Sequence, residues 1–412
     1  MHEYHTTTAW MLKYITHNYT ESFAIPKFYI LPKIHKHITV GRPIAAGHSA
    51  ATTPWSALLC YLLQPVLDKL NTVLKHSRTL IREMEGTHFD TRSTWTLVTA
   101  DVVSLYPSLN VEQVISNTLT ATREHYGPTW SPQIHHFLER ILNFVLNNGY
   151  VQFEDKLFLQ HKGFAMETPS APILANITLA ISERRLLTKH PQIYLFRRYI
   201  DDIFCIVKNT EPETHQLLSS LYQELNLKLT FDMAQDKIEF LDLIIHKGIR
   251  WKNDGRLDLH THQKKLNLYS YLPYRSAHPK HCKTGFITGE LLRYLVTNTD
   301  GNSFREMKDK FFYRLVRRGY PQIFLIPLFN RINFTQRNDK LFKKPTGKPL
   351  TRIVFSPQYH PIWEIPKVKM ELTQLLVDQP VGVSSVISRY LPPLVAFKKA
   401  RTLGSHLVRA AL

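Results

Sequence analysis

Two adjacent carboxylates set between short apolar, β-prone stretches constrain this chain more than anything else in it: Arg198-Tyr199-Ile200-Asp201-Asp202-Ile203-Phe204. Residues 193–200 and 203–207 read as the arms of a hairpin, with both acids at or beside its turn. Neighbouring side chains on a flat strand point to opposite faces, so a bend is what lets both acids approach one centre. Like charges held that close repel and push one pKa upward. A divalent cation removes that penalty, and a magnesium site built on few carboxylates usually also serves phosphates. On this segment alone, a metal site and an acidic polar turn are both open.

Charge points to an anionic partner. Across 412 residues, Lys+Arg number 52 against 33 Asp+Glu, a formal charge of +19, and the pI is near 9.7. A surface this basic accumulates phosphate polymers. The basic pairs Lys264-Lys265, Arg317-Arg318, Lys343-Lys344 and Lys398-Lys399 are dispersed, which favours a charged groove over a polybasic arm. Hydrophobic residues at 43% and aromatics at 11% are enough for a real core and exclude a disordered binder. The length suits two or three subdomains.

Cys60, Cys205 and Cys282 are far apart and read as reduced thiols of an intracellular protein. No apolar run approaches a membrane span, and no signal-peptide core opens the chain. His278-Pro279-Lys280-His281-Cys282, with His260 and His262 before it, fits no standard zinc finger, and surface histidines in a loop facing nucleic acid are the simpler reading.

The patterning predicts strand and loop over 22–47, where Pro26, Pro32, Pro43 and Gly41 forbid a long helix. Helices are expected over 54–74, from Asn110 or Val111 with Asn110 as cap, and over 132–146, 173–188 and 212–225. Strands are expected over 96–103, as a pair over 150–159, and over 228–231 and 238–245. Residues 275–320 read as mostly helical and basic, and 331–361 as a linker or mobile lobe. No internal repeat is present.

Asp101 ends the strand over 96–103 and lies a hundred residues before the Asp201-Asp202 pair. If the two strands are neighbours, three carboxylates converge on one sheet edge. Two-metal phosphoryl transfer uses such a cluster: one ion activates the attacking hydroxyl and the other stabilises the leaving group.

At this point the motifs match a family. Asp101-Val102-Val103-Ser104-Leu105-Tyr106 resembles the first palm motif of reverse transcriptases, an Asp with an aromatic five positions later. Tyr199-Ile200-Asp201-Asp202 resembles their YxDD motif. The flanks resemble Penelope-like retroelements, whose reverse transcriptase is a relative of telomerase. The similar stretches are Leu31-Pro32-Lys33-Ile34-His35-Lys36 with Arg42-Pro43-Ile44, residues 163–176, Phe240-Leu241-Asp242, Ser276-Ala277-His278-Pro279 and Arg318-Gly319-Tyr320-Pro321, in the family's order.

The resemblance implies an α+β right-hand polymerase: fingers in 1–95, a palm with an antiparallel sheet in 96–250, primer grip and helical thumb in 251–330, and a basic linker-like region in 331–412. It implies an RNA-directed DNA polymerase acting on an RNA template, a DNA primer and dNTPs, with two Mg2+ ions (or Mn2+), in the nucleus. Asp101 and Asp201 would be the principal metal ligands and Asp202 a weaker one. Tyr106 would press on the sugar of the nucleotide. Lys36 and Arg42 would grip its triphosphate, with Lys33 able to replace Lys36. Gln160, Gly163 and Pro169 would belong to the loop and helix that cradle template and nucleotide. Lys228 or Lys237 would protonate the departing pyrophosphate. Phe240 and Leu241 would form the primer grip, and Lys283, Arg293 and Arg305 would face duplex phosphates.

Two departures stand out. The family has glycine where this chain has Glu167 after Met166, and Ala171 stands where serine is more usual. A carboxylate in place of glycine adds bulk and charge beside phosphates, so an impaired copy, or a non-catalytic nucleic-acid-binding remnant, is the alternative expectation. Residues 354–409 also resemble the segment that precedes a GIY-YIG endonuclease domain, and the chain reads as a fragment or truncated element.

Overall fold

The computed structural model describes residues 23–32, 41–45, 47–165, 168–208, 211–223, 226–264, 267–343, 354–357, 365–377 and 393–396. Lys33, Lys36, Met166 and Glu167 lie outside the described residues, so the calls on them do too. The chain divides into two compact units, Met1–Asn267 and Leu268–Leu412.

The first unit opens with an antiparallel pair, β1 (Phe28–Pro32) and β2 (Gly41–Ala45), followed by α1 (Thr53–Leu67) and α2 (Ser77–Gly86). Strand β3 (Thr96–Val102), a single turn α3 (Leu105–Ser108), α4 (Val111–Tyr126) and α5 (Pro132–Asn147) come next. Asn110 caps α4 by accepting from the Gln113 amide at 2.9 Å, as a short polar side chain before an apolar periodic run should. The hairpin β4 (Tyr150–Phe153) and β5 (Lys156–Leu159) leads to α6 (Ala171–Lys189). Most residues of α6 from Ala171 to Glu183 are buried on every side, which marks it as the central helix of the unit.

Strands β6 (Ile193–Tyr199) and β7 (Asp202–Val207) form the acidic hairpin, followed by α7 (Glu211–Gln223) and β8 (Leu229–Ala234). Together with β3 they make a four-stranded antiparallel sheet in the order β6-β7-β3-β8. Side chains of α1, α4, α5 and α6 share one apolar core with Val98, Val102, Phe196, Cys205 and Val207 of this sheet.

A second sheet holds β9 (Lys237–Phe240), β10 (Leu243–His246) and, after the short α8 (Ile249–Asp254), β11 (Asp258–Thr261), in the order β11-β10-β9. The single strand expected over 238–245 is thus two, folded back on each other with Leu243 opposite Phe240. The break is at Leu241, whose φ of +54° no strand can continue through.

The second unit is mostly helical among its described residues: α9 (Lys280–Thr297), α10 (Gly301–Arg317), α11 (Gln322–Asn330), α12 (Arg337–Phe342) and α13 (Ile365–Val377), with one parallel strand pair, β12 (Val354–Phe355) and β13 (Leu394–Val395). Its core contains Ile287, Leu291, Tyr294, Phe304, Phe311 and Tyr320. Arg318-Gly319-Tyr320-Pro321 is the helix stop between α10 and α11. Gly319 has φ +83°, its amide donates to Val316 O at 2.9 Å, and the Tyr320 amide donates to Leu315 O at 3.1 Å. Those two bonds define a Schellman motif. Of the segment 331–361, expected as a linker or mobile lobe, the first part is packed: Ile332, Arg337 and Leu341 are buried, because α12 folds back on α9 and Arg337 donates to Val296 O at 3.3 Å.

Candidate functional site

The register of the large sheet brings the acids together. Asp101 near the end of β3 is paired directly with Asp202 at the start of β7, and directly opposed residues of antiparallel strands project from the same face. Asp201 is the second of the two residues turning β6 into β7; its carbonyl accepts from the Val102 amide at 3.0 Å. The first turn residue, Ile200, has φ +57°, a left-handed conformation that a β-branched side chain normally avoids.

Six non-glycine described residues have positive φ. Three of them surround this cluster: Ser104 three residues after Asp101, Ile200, and Leu241. Strain of this kind collects where geometry serves a function and the surrounding structure enforces it.

Electrostatics report crowding at the same place. Burial, and then the charges of Asp201 and Asp101, push the Asp202 carboxyl up to about 6, while Lys264 pulls it down. Three carboxylates are hard oxygen donors of the kind magnesium takes, and a cation there would neutralise this mutual repulsion. In donor chemistry the set fits such an ion. Among the described residues, no three His, Cys, Asp or Glu side chains are spaced to enclose one.

Tyr106 is buried on the single turn after β3 and meets Phe164 edge to face, with ring centroids 5.9 Å apart. Burial and the Asp201 charge push its phenol up to about 12, with Arg198 acting in the opposite sense. Gly163 has φ +62°, and a Cβ there would lie 2.5 Å from Pro107 Cα and 2.6 Å from Pro107 C. Only glycine lets this loop lie against the Tyr106-Pro107 backbone, where the Phe164 amide donates to Tyr106 O at 3.2 Å.

The remaining candidates separate into groups. Gln160, Gly163 and Pro169 line a cavity of about 270 Å3 with Tyr150 and Phe164. Ser170 beside it is anchored to α1, its amide donating to Ser56 Oγ at 2.8 Å. Asp202 and Leu241 line a different cavity of about 610 Å3 with Tyr199, Asp242, His262 and Lys264. Arg42 is exposed on β2 and lines neither. Lys264 lines the same cavity as Asp202 and favours its ionised form.

Three of the expected contact residues have partners within the protein. Phe240 is buried against Phe204, with centroids 5.4 Å apart, so it supports the sheet while Leu241 faces the cavity. Lys283 donates to Tyr274 O at 2.7 Å and lies over the Tyr274 ring. Arg293 pairs with Glu290 at 2.6 and 2.9 Å and lies over Tyr294. Both cations remain partly exposed, and Arg305 is exposed.

Residue-by-residue reading missed the partners of Arg198. This side chain has no exposure and bonds to Glu183, Asn176 and Ile200 O beneath the acidic hairpin. The available signal was Asn176 and Glu183 seven residues apart on one apolar helix, with an arginine inside an otherwise apolar strand.

These features define a mixed fold of helices and antiparallel sheet, and a solved telomerase structure shares it. Telomerase from Candida albicans, in complex with a fragment of telomeric RNA, is similar with a TM-score of 0.52 at 10% identity, covering 92% of this chain and 67% of that one. Apo telomerase from Candida tropicalis gives 0.47 at 11% identity, over 94% and 72% of the two chains. The RNA-dependent RNA polymerase of BmCPV at its elongation state gives 0.47 at 11% identity, over 74% and 26%. The family description "Animal helix-turn-helix domain" matches residues 270–326, which take in α9, α10 and the start of α11. No curated protein matches the chain.

Proposed function

We propose that the chain is an RNA-directed DNA polymerase of Penelope-like type, extending a DNA primer on an RNA template with dNTPs in the nucleus. The carrying observation is the cross-strand pairing of Asp101 with Asp202, beside the strained turn that bears Asp201 and within electrostatic reach of Tyr106. In this reading the first unit supplies fingers, palm and primer grip, and the helical unit supplies the thumb.

Asp101 and Asp201 would hold two Mg2+ ions, with Asp202 assisting; bound there, they would lower the pKa of the primer hydroxyl and stabilise the leaving pyrophosphate. Tyr106, packed against Phe164, sets the floor on which the nucleotide sugar rests. Arg42, and Lys36 with it, attract the triphosphate. The basic surface holds the template–primer duplex by its phosphates, and this affinity falls steeply with salt.

The test is extension of a primed RNA template with Mg2+ or Mn2+. Asp101→Ala and Asp201→Ala should each reduce extension to background while leaving template–primer affinity within about twofold. A wild-type chain that binds the template–primer yet incorporates nothing with either ion refutes the polymerase reading in favour of a binding remnant, the outcome that Glu167 anticipates.

A further inference from the structure

Arg198 is three residues before Asp201 and fully buried. A guanidinium carries five N–H donors, and this one makes five bonds. Nε donates to Glu183, Nη1 to Asn176 Oδ1 and to Ile200 O at 3.0 Å, and Nη2 to Asn176 O at 3.1 Å and Glu183 Oε2 at 3.3 Å. Glu183 is also buried, and accepts from Thr72 Oγ1 at 2.6 Å and Tyr222 OH at 3.1 Å. The Arg198 backbone is pinned as well: its amide donates to Thr72 O and its carbonyl accepts from the Leu74 amide, both at 2.7 Å. One side chain therefore joins α6 to the hairpin turn, while Glu183 ties in α7 and the segment before α2.

Stability does not require a charge here, since well-packed apolar residues can replace a buried ion pair at no loss. What apolar residues cannot supply is a directed bond to the Ile200 carbonyl. That carbonyl belongs to the left-handed turn residue immediately before Asp201. A turn held against its own preference needs a restraint that fixes direction as well as volume.

We propose that Arg198 is a positioning residue. Its fork locks the strained Ile200 turn and so aims Asp201 and Asp202, and its bonds to Asn176 and Glu183 tie that aim to α6, the helix that follows the Gly163–Pro169 loop. The inference rests on the polymerase reading for its kinetic consequence. The geometric consequence at the acids stands without it.

Two variants test it. Arg198→Met with Glu183→Leu removes both charges and keeps apolar volume. Arg198→Lys keeps a buried cation for Glu183 but loses the planar fork. Urea unfolding establishes that each is folded, and fluorescence anisotropy gives template–primer affinity. Single-nucleotide incorporation separates kcat from the dNTP KM, and Tb3+ luminescence reports ion binding at the acids without any turnover.

Expected for every folded variant are template–primer affinity within about twofold, a dNTP KM within about threefold, a kcat lower by about a hundredfold, and Tb3+ affinity lower by about tenfold. These sizes are typical for a misplacement of about 1 Å and for lost outer-shell support of ligands. If either variant is folded and keeps wild-type kcat and Tb3+ affinity, the network is structural only and the proposal falls. If wild type itself shows no incorporation, the polymerase reading fails, and the Tb3+ comparison alone decides the role of Arg198.

Discussion

Gly163→Ala is the sharpest test of how the loop before α6 is seated. The added methyl would overlap Tyr106 O and lie 2.5 and 2.6 Å from Pro107 Cα and C. All three are backbone atoms, so no side-chain rotation relieves the contact, and ordinary van der Waals separation requires the loop to retreat by about 1 Å. Holding an L-residue at φ +62° costs about 1–2 kcal/mol. Relieving the overlap adds about 1–2 kcal/mol, of the size seen for overpacked interiors. Retreat also stretches the Phe164 amide bond to Tyr106 O, now 3.2 Å, a loss of about 1 kcal/mol. The sum is a destabilisation of about 3–5 kcal/mol, measurable as a lower urea midpoint at unchanged m value. Because Phe164 packs on the Tyr106 ring, nucleotide incorporation should fall as well. A variant within ~0.5 kcal/mol of wild type would show that Gly163 does not lie against Pro107 and would refute this seating.

Asp202→Asn tests the crowding of the acids. A carboxyl raised in the folded state to about 6 from an ordinary 3.8 destabilises the fold when ionised; the penalty is absent below about pH 4, grows between 4 and 6, and is complete above. Full conversion gives ~3 kcal/mol, and partial exposure to water reduces this to ~1 kcal/mol. In metal-free buffer the Asn variant should therefore be more stable by about that amount at pH 8 and equal to wild type near pH 4, and equal gains at both pH values would contradict it. Gly319→Ala isolates a backbone effect, since φ is +83° but a Cβ would meet nothing within 4 Å. It should cost about 1 kcal/mol in unfolding free energy, and Gly319→Asn clearly less, because asparagine tolerates the left-handed region.

Local periodicity made most elements of the first unit legible. The hairpin arms, the strand ending at Asp101, the Asn110 cap and the helices over 132–146 and 173–188 all follow from period and punctuation within a few residues. The turn at Leu241 did not, because leucine at positive φ has no sequence signature; the run 238–245 is mostly apolar with Asp242 as a mild break, and the pairing of Leu243 with Phe240 creates the fold-back. The helix Arg337–Phe342 was hidden by composition: a segment rich in Lys, Arg and Asn reads as solvated until Leu341 and Arg337 find the core of the helical unit.

The same reason hid the internal partners of the cations. A basic residue in a sequence is equally consistent with a phosphate contact and with an internal partner, and the choice depends on acids that are near in space. For Arg293 the partner was readable, since Glu290 lies three residues earlier on one helix. For Arg198 the acid lies fifteen residues away, and that acid's own partner Thr72 lies another hundred and eleven beyond it. A chain of charge +19 invites the assumption that every cation faces nucleic acid. Arg198 argues the opposite: its charge is spent inside the protein, and it bears on the acids through the one carbonyl that precedes them.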